Sequence, residues 1–155
     1  MRKPVLIAVW LLGYSVASAD PAAGAADSGD TVVETGKIIV TVEAFDGRGT
    51  IRAMLYNPTS RYPTRPMRTE IRRVRQLRAR FEFDNLPFGD YGVIAFQQMT
   101  NNTRPFDFHA ITPHRPVAFS NDARMKAAAR GAPPFDDIKF SLAEPELEIT
   151  LVLFQ

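Results

Sequence analysis

Apolar and polar residues alternate along most of the chain, a pattern typical of strands that bury one face. The alternation is clear over residues 38–44 and 49–57, which flank the turn Asp46-Gly47-Arg48-Gly49. Glycines permit the positive φ of tight turns, so we predict that these two strands form a hairpin. In the second strand, Ile51, Ala53 and Leu55 are predicted to face inward, and Arg52 and Met54 outward.

Residues 61–80 contain eight arginines and one acidic residue, Glu70. Alternation continues through Ile71 and Arg72, so we predict two edge strands, 67–74 and 77–83, whose outward arginines prevent pairing with other chains. The alternative is a surface that binds anions, because this segment has a local excess of positive charge. Its candidate ligand contacts are Arg65, Arg68, Arg72, Arg73 and Arg75.

The most informative run is FEFDNLPFGDYGVIAF, residues 81–96. Phe81 and Phe83 alternate toward a core, a turn follows at 85–90, and the alternation then resumes. This F-x-x-L-P-x-G-x-Y-x-V arrangement resembles the hairpin of transthyretin-like and carboxypeptidase-regulatory-like β-sandwich domains. The resemblance implies that Leu86 plugs one end of the sandwich, which is a structural role and not an activity.

Two later motifs narrow the resemblance, FSNDAR at 119–124 and GAPPFDD at 131–137. Together with residues 83–96, they resemble a family of secreted bacterial proteins known as domain of unknown function 2141, over about residues 36–155. The resemblance implies an exported, single immunoglobulin-like sandwich. It implies no established activity.

Members of that family typically carry a D-x-N-x-N-x-x-x-D loop after the Tyr-x-Val strand, a spacing that suits calcium. The corresponding loop here, 97–108, keeps Asn102, has Asp107 displaced by one position and has lost most of its carboxylates. A hard cation needs negative charge to offset its dehydration, so we predict no calcium site. We interpret the loop as polar and held by hydrogen bonds, with Asn102 and Asp107 as candidate ligand contacts.

No catalytic residue, metal or cofactor is predicted. Asp107, His109 and His114 match no recognised spacing of metal ligands. Ser120 could form a triad with a histidine and an aspartate by composition alone, but no G-x-S-x-G elbow surrounds it. Asp136 and Asp137 fit turn and cap roles better than a glycosidase pair.

Residues 96–138 show little strand pattern, and we expect any binding site to involve this segment. Asn121 or Asp122 is predicted to cap a short helix over 123–130, which Gly131 ends. We interpret this segment as a structured flap over one end of the sandwich. The alternative makes Asn121 and Arg124 ligand contacts.

The last strand, 146–154, is apolar on one face until Val152 and Phe154 make both faces apolar. Continuous apolar runs are typical of covered strands, so we predict a central strand and not an exposed edge that meets a partner. The predicted fold is an all-β, immunoglobulin-like (transthyretin-like) antiparallel β-sandwich of about seven strands, with a long loop and one short helix.

The N-terminus indicates the compartment. Arg2 and Lys3 precede the apolar run VLIAVWLLGYSV, and Ala17-Ser18-Ala19 forms a signal-peptidase site. We therefore predict a signal peptide over 1–19 with cleavage after Ala19, a flexible leader over 20–36 and a single domain over 37–155. A membrane anchor is the alternative, but the run is short of the roughly 20 apolar residues that span a bilayer.

Charge and cysteine content limit the partners. The chain has 19 basic and 17 acidic residues, and loss of Arg2 and Lys3 would leave 17 of each, so no nucleic-acid partner is predicted. Without cysteine, the fold depends on burial for its stability.

The predicted function is that of a secreted or periplasmic, non-enzymatic binding or structural module with no transmembrane segment after signal cleavage. Its predicted partners are envelope polysaccharide or another envelope protein. The alternative is a protein that binds an anionic glycan or lipid through residues 61–80, and a hydrolase is a minor alternative.

Overall fold

The computed structural model describes residues 33–99, 115–124 and 131–154, which contain eight strands. The predicted signal peptide and nearly all of the predicted leader lie outside the described residues. The strands are β1 (Thr35–Glu43), β2 (Thr50–Tyr56), β3 (Arg68–Arg73), β4 (Arg78–Pro87), β5 (Gly89–Gln98), β6 (Val117–Phe119), β7 (Phe140–Leu142) and β8 (Glu146–Val152).

The strands form two sheets that pack as a sandwich, which confirms the predicted all-β class. One sheet has the order β4-β1-β8, in which β1 is antiparallel to β4 and parallel to β8. The other has the order β3-β2-β5-β6, with β7 also paired to β5, and all its pairs are antiparallel. The eight described strands include two of only three residues, β6 and β7, which accounts for the excess over about seven.

Two predicted hairpins are wrong. β1 and β2 lie in different sheets, and so do β4 and β5. The connections at 44–49 and around Phe88 therefore carry the chain from one sheet to the other. Alternation shows which side of a strand is buried and not which strand is its neighbour. It therefore predicts the same buried faces whether two successive strands form a hairpin or lie in different sheets.

The main core lies between the sheets, and the predicted inward faces are confirmed. Ile38, Val40 and Val42 of β1 and Phe81 and Phe83 of β4 are almost fully buried. Burial of each large apolar side chain contributes about 1.5–3 kcal/mol. The same core receives Ile51, Ala53, Leu55, Leu86, Tyr91, Val93, Ala95, Ala118, Leu142, Leu151 and Leu153.

A second apolar cluster covers the outer face of the larger sheet. Met54, which the alternation places outward, is buried there together with Tyr56, Ile94, Phe96, Val117, Phe119 and Ile138. The cover comes from the flap, which we define as residues 120–124 and 131–138 and which includes a single helical turn, α1 (Phe135–Ile138). The flap therefore lies on the outer face of β2 and β5. The prediction that it lies over one end of the sandwich is wrong.

Tyrosines fix the flap to the β2–β3 connection. The Tyr62 hydroxyl donates to the Pro133 carbonyl at 2.7 Å, and its ring lies 5.7 Å from that of Phe135 and 5.0 Å from that of Tyr56. The Tyr56 hydroxyl donates to the Pro63 carbonyl at 2.7 Å. Burial raises the pKa of both phenols, because it disfavours the phenolate.

The prediction that the last strand is central is wrong. Within the described part of the chain, β8 pairs along its length with β1 alone and forms an edge. Val152 is 59% exposed, whereas Phe154 reaches the other sheet through a bridge to Val117. The end of the last strand is apolar on both faces for two separate reasons: Phe154 joins the two sheets, and Val152 faces solvent.

Candidate functional site: an arginine groove

A groove of about 890 Å³ lies over the outward face of the three-stranded sheet, bounded by β3 and by the β3–β4 turn. We call it the arginine groove, because five of its lining residues are arginines. Its lining residues are Thr41, Glu43, Ile71, Arg72, Arg73, Arg75, Arg78, Ala79, Arg80, Glu148 and Thr150.

Strand order brings these arginines together. Among the described strands, β3 is an edge of the larger sheet and β4 is an edge of the smaller one, as predicted. Arg75 and Arg78 exchange backbone hydrogen bonds of 2.9 Å across the turn that joins them. The turn therefore places the end of β3 beside the start of β4, and the groove forms where these edges meet.

Carboxylates hold three of the five guanidinium groups. Arg72 pairs with Glu70 at 2.7 Å, Arg78 with Glu43 at 3.1 Å, and Arg80 with Glu148 at 3.4 Å. Arg80 also reaches Glu82, at 3.3 Å. Such half-exposed pairs contribute at most about 1 kcal/mol each to stability, but they orient the side chains.

The other two arginines of the groove, Arg73 and Arg75, differ from these three. Within the described residues, neither side chain has an ion pair or a hydrogen bond. Their charge is therefore not offset by a described carboxylate. The excess positive charge of the groove therefore lies at Arg73 and Arg75.

The structure brings together only part of the predicted arginine set. Arg72, Arg73 and Arg75 line the groove, and the sequence interpretation missed Arg78 and Arg80 as members of the site. Both alternate with the buried residues Ala79 and Phe81, so the alternation along the sequence predicts that their side chains point outward.

The other predicted arginines lie elsewhere. Arg68 donates to the Asp84 carbonyl at 2.6 Å. Arg65 lines a separate depression of about 450 Å³ together with Arg61. Neither residue lines the arginine groove.

Asn121 and Arg124 do not line the arginine groove either. The Asn121 amide donates to the Asp137 carbonyl at 3.2 Å, and the Arg124 guanidinium lies 5.3 Å from the centre of the Phe154 ring. Asn121 and Asp122 have positive φ angles, and Ala123 is extended, so no helix begins at Ala123. Asn102, Asp107, His109, His114 and most of the predicted helix lie outside the described residues.

Ser120 has a structural role. It is 1% exposed, and its hydroxyl accepts a hydrogen bond from the Val93 N–H at 2.8 Å. It donates to the Ile138 carbonyl at 2.6 Å. It also lies 3.3 Å from the Val93 carbonyl, so this one hydroxyl connects β5 to both ends of the flap through contacts within the fold.

Gln97 is the residue with the largest structural role that sequence analysis missed. Its side chain is 1% exposed, and Oε1 accepts from the N–H groups of Phe45 and Asp46 at 3.0 and 3.3 Å. Nε2 donates to the carbonyls of Asp46 and Arg48 at 2.6 and 2.7 Å. The signal was its parity: Gln97 continues the inward positions Val93 and Ala95, where a polar residue must find partners.

The β3–β4 turn has an unusual composition. Gln76 and Leu77 both have positive φ, 50° and 60°, the signature of a two-residue turn that favours Asn-Gly. A leucine in this conformation is sterically strained, and Leu77 is 54% exposed, so core burial does not compensate the strain.

Replacement of Leu77 by glycine is expected to stabilise the protein by up to about 1 kcal/mol, because relief of left-handed strain exceeds the entropy cost of glycine. Urea unfolding curves of the two proteins measure the difference. Gln76→Leu is the control, since it keeps a side chain at both positive-φ positions and should not stabilise. A lower unfolding midpoint for Leu77→Gly would show that the side chain has a favourable contact there.

The fold and the groove define an all-β sandwich whose basic surface site lies where two sheet edges meet. The chain belongs to the family described as uncharacterized protein conserved in bacteria (DUF2141), whose model matches residues 40–150. No curated protein and no solved structure matches the chain. Among residues 33–99, 115–124 and 131–154, no helix is long and apolar enough to span a membrane, and no three His, Asp or Glu side chains form a group that could hold a metal ion.

Proposed function

We propose that the protein is a non-enzymatic binding module that holds a phosphate-bearing anionic ligand in the arginine groove. The observation that carries this proposal is the pair Arg73 and Arg75, which have no described partner, beside three arginines that carboxylates already hold. Guanidinium groups match phosphate oxygens with two parallel hydrogen bonds and do not lose their charge at any physiological pH.

The rest of the groove supports the same ligand chemistry. The ion pairs of Arg72, Arg78 and Arg80 restrict these side chains, so an incoming anion has to order only Arg73 and Arg75. Thr41 and Thr150 stand opposite each other on β1 and β8 and add two hydroxyl donors. The carboxylates on this side, Glu43 and Glu148, are paired with Arg78 and Arg80, so the excess charge of the groove stays positive.

A binding role also accounts for the serine. The hydroxyl of Ser120 is enclosed and engaged with Val93 and Ile138, so it is not available to attack a substrate. Ser120 was the nucleophile of the triad considered from the sequence. The hydrolase alternative therefore has no support from this residue.

Titration calorimetry with inorganic tripolyphosphate tests the proposed function. We expect binding that weakens steeply as salt rises, since counterions screen exposed charges over about 10 Å at 0.1 M. The double variant Arg73→Gln/Arg75→Gln should bind at least about tenfold more weakly, a loss of about 1.4 kcal/mol. The matched control is Arg61→Gln/Arg65→Gln, which removes the same charge outside the groove. Equal losses in the two variants, or no binding by the wild type, would contradict the groove as the site.

We further propose that the protein acts outside the cytoplasm. The support is the basic start, apolar run and Ala17-Ser18-Ala19 site of the N-terminal 19 residues. Mass spectrometry of the protein isolated from its native cell is expected to find Asp20 as the first residue. A mature chain that still begins at Met1 would contradict export by cleavage.

A further inference from the structure

Two exposed apolar side chains stand at the end of the sandwich beside the arginine groove. Phe45 lies in the β1–β2 connection and is 52% exposed, and Leu77 is at the tip of the β3–β4 turn. The Ala44 N–H donates to the Leu77 carbonyl at 2.8 Å, so the two loops are in direct contact. We call this end, formed by residues 44–49 and 74–78, the Leu77 end.

Basic residues surround these apolar tips. Arg75 and Arg78 flank Leu77 in the turn, and the side chain of Arg48, in the loop of Phe45, is 84% exposed. Two carboxylates are also present: Asp46 pairs with Arg48 at 3.1 Å, and Glu43 pairs with Arg78 at 3.1 Å. The unpaired positive charge comes from Arg73 and Arg75, the residues that we assign to ligand binding.

The conformation of Leu77 indicates that neither core packing nor turn geometry accounts for this leucine. Its positive φ favours glycine or asparagine, and its side chain is more than half exposed. Strain that persists without a structural compensation is a feature of functional surfaces. Phe45 is likewise exposed, although Gln97 fixes its backbone N–H.

We propose that the Leu77 end docks on an anionic lipid bilayer: Phe45 and Leu77 insert at the headgroup level while Arg73 and Arg75 bind lipid phosphates. This inference rests on the proposed function and names the source of the phosphate. Anionic leaflets attract basic residues near their surface, and apolar side chains that reach the acyl boundary add affinity.

A bilayer fits this surface better than a protein partner does. A stable protein interface buries about 800 Å² on each side around a packed apolar centre. Here the apolar groups are single side chains on two loop tips with arginines around them. Side chains that project separately can enter a lipid surface, which adapts its shape to them.

Co-sedimentation with vesicles is the test, using phosphatidylcholine with and without phosphatidylglycerol. The wild-type protein is expected to sediment only with the anionic vesicles. Phe45→Ser/Leu77→Gly is expected to bind these vesicles at least about tenfold more weakly, while its affinity for tripolyphosphate stays unchanged. Arg73→Gln/Arg75→Gln should lose both. The matched control is Val33→Ser/Met67→Ser, which removes two exposed apolar side chains at the starts of β1 and β3, the opposite end, and should lose neither.

The results separate the two proposals. If tripolyphosphate binds through Arg73 and Arg75 but vesicles do not, docking on a bilayer is wrong and the anion site stands. If Phe45→Ser/Leu77→Gly still sediments like the wild type, the proposed insertion of these two side chains is wrong, and the anion site again stands. If the arginine variant binds tripolyphosphate normally, the anion site itself is wrong. Equal binding to neutral and anionic vesicles would also overturn the inference.

A spectroscopic readout tests insertion directly. The one tryptophan of the chain, Trp10, lies in the predicted signal peptide, so Phe45→Trp in the protein that begins at Asp20 carries a single indole at the loop tip. Its emission is expected to shift to the blue with anionic vesicles and to stay unchanged with tripolyphosphate. An unchanged emission maximum with bound vesicles would show that Phe45 remains in water and would overturn the docking geometry.

Discussion

Replacing Gln97 with leucine is expected to lower the free energy of unfolding by about 3–5 kcal/mol, because it leaves backbone groups of the β1–β2 connection without partners. The amide of Gln97 makes four hydrogen bonds to this connection, at 2.6–3.3 Å. Leucine fills a similar volume but makes none of them. The loss should therefore arise from unmade bonds and not from a cavity.

Two further variants identify the origin of the effect. Gln97→Glu keeps oxygens that can accept from Phe45 and Asp46 but cannot donate to the carbonyls of Asp46 and Arg48, so it should also be destabilised. Gln76→Leu makes the same change in an exposed turn and should stay within about 0.5 kcal/mol of the wild type. Urea unfolding measures all three. A Gln97→Leu protein as stable as Gln76→Leu would show that water satisfies these groups.

Replacing Leu86 with alanine is expected to cost about 2–5 kcal/mol, the range for removal of a buried leucine side chain from a core. Leu86 is fully buried at the end of β4, in the crossing between the two sheets. The matched control is Leu77→Ala, in which the same atoms are removed from an exposed turn.

Thermal unfolding of the two alanine variants gives the comparison. Leu77→Ala should unfold within a few degrees of the wild type, whereas Leu86→Ala should unfold well below it, since 1 kcal/mol shifts the midpoint by about 4–8 °C in a small domain. Similar midpoints for the two variants would mean that Leu86 does not fill the end of the core.

Alternation along the sequence predicted the buried faces of the strands because side-chain direction has a period of two residues. Phe81, Phe83, Val93 and Ala95 are buried as that period requires. The neighbours of each strand were not predictable in the same way. The glycine-containing turn at 46–49 joins two sheets and not two strands of a hairpin, since the same residues permit both geometries.

The candidate site was predictable only in part. The density of arginine over residues 61–80 marked the correct region, but it did not separate Arg73 and Arg75 from Arg65 and Arg68. That separation depends on β3 and β4 being edges of different sheets, which no local pattern reports. Sequence alternation likewise gave no account of the outer cluster, because Met54 and Phe96 become buried only when the flap lies on them.

The parallel pairing of β1 with β8 joins the first and last strands of the sandwich. These strands are separated by most of the chain, so their pairing requires closure of a long loop, which costs chain entropy. We therefore expect slow folding, in the range of milliseconds to seconds. Before β8 pairs with it, β1 has unpaired backbone N–H and C=O groups on one edge, in a strand that contains the apolar residues Ile38, Val40 and Val42. We therefore expect this protein to aggregate most readily after β1 is synthesised and before β8 pairs with it.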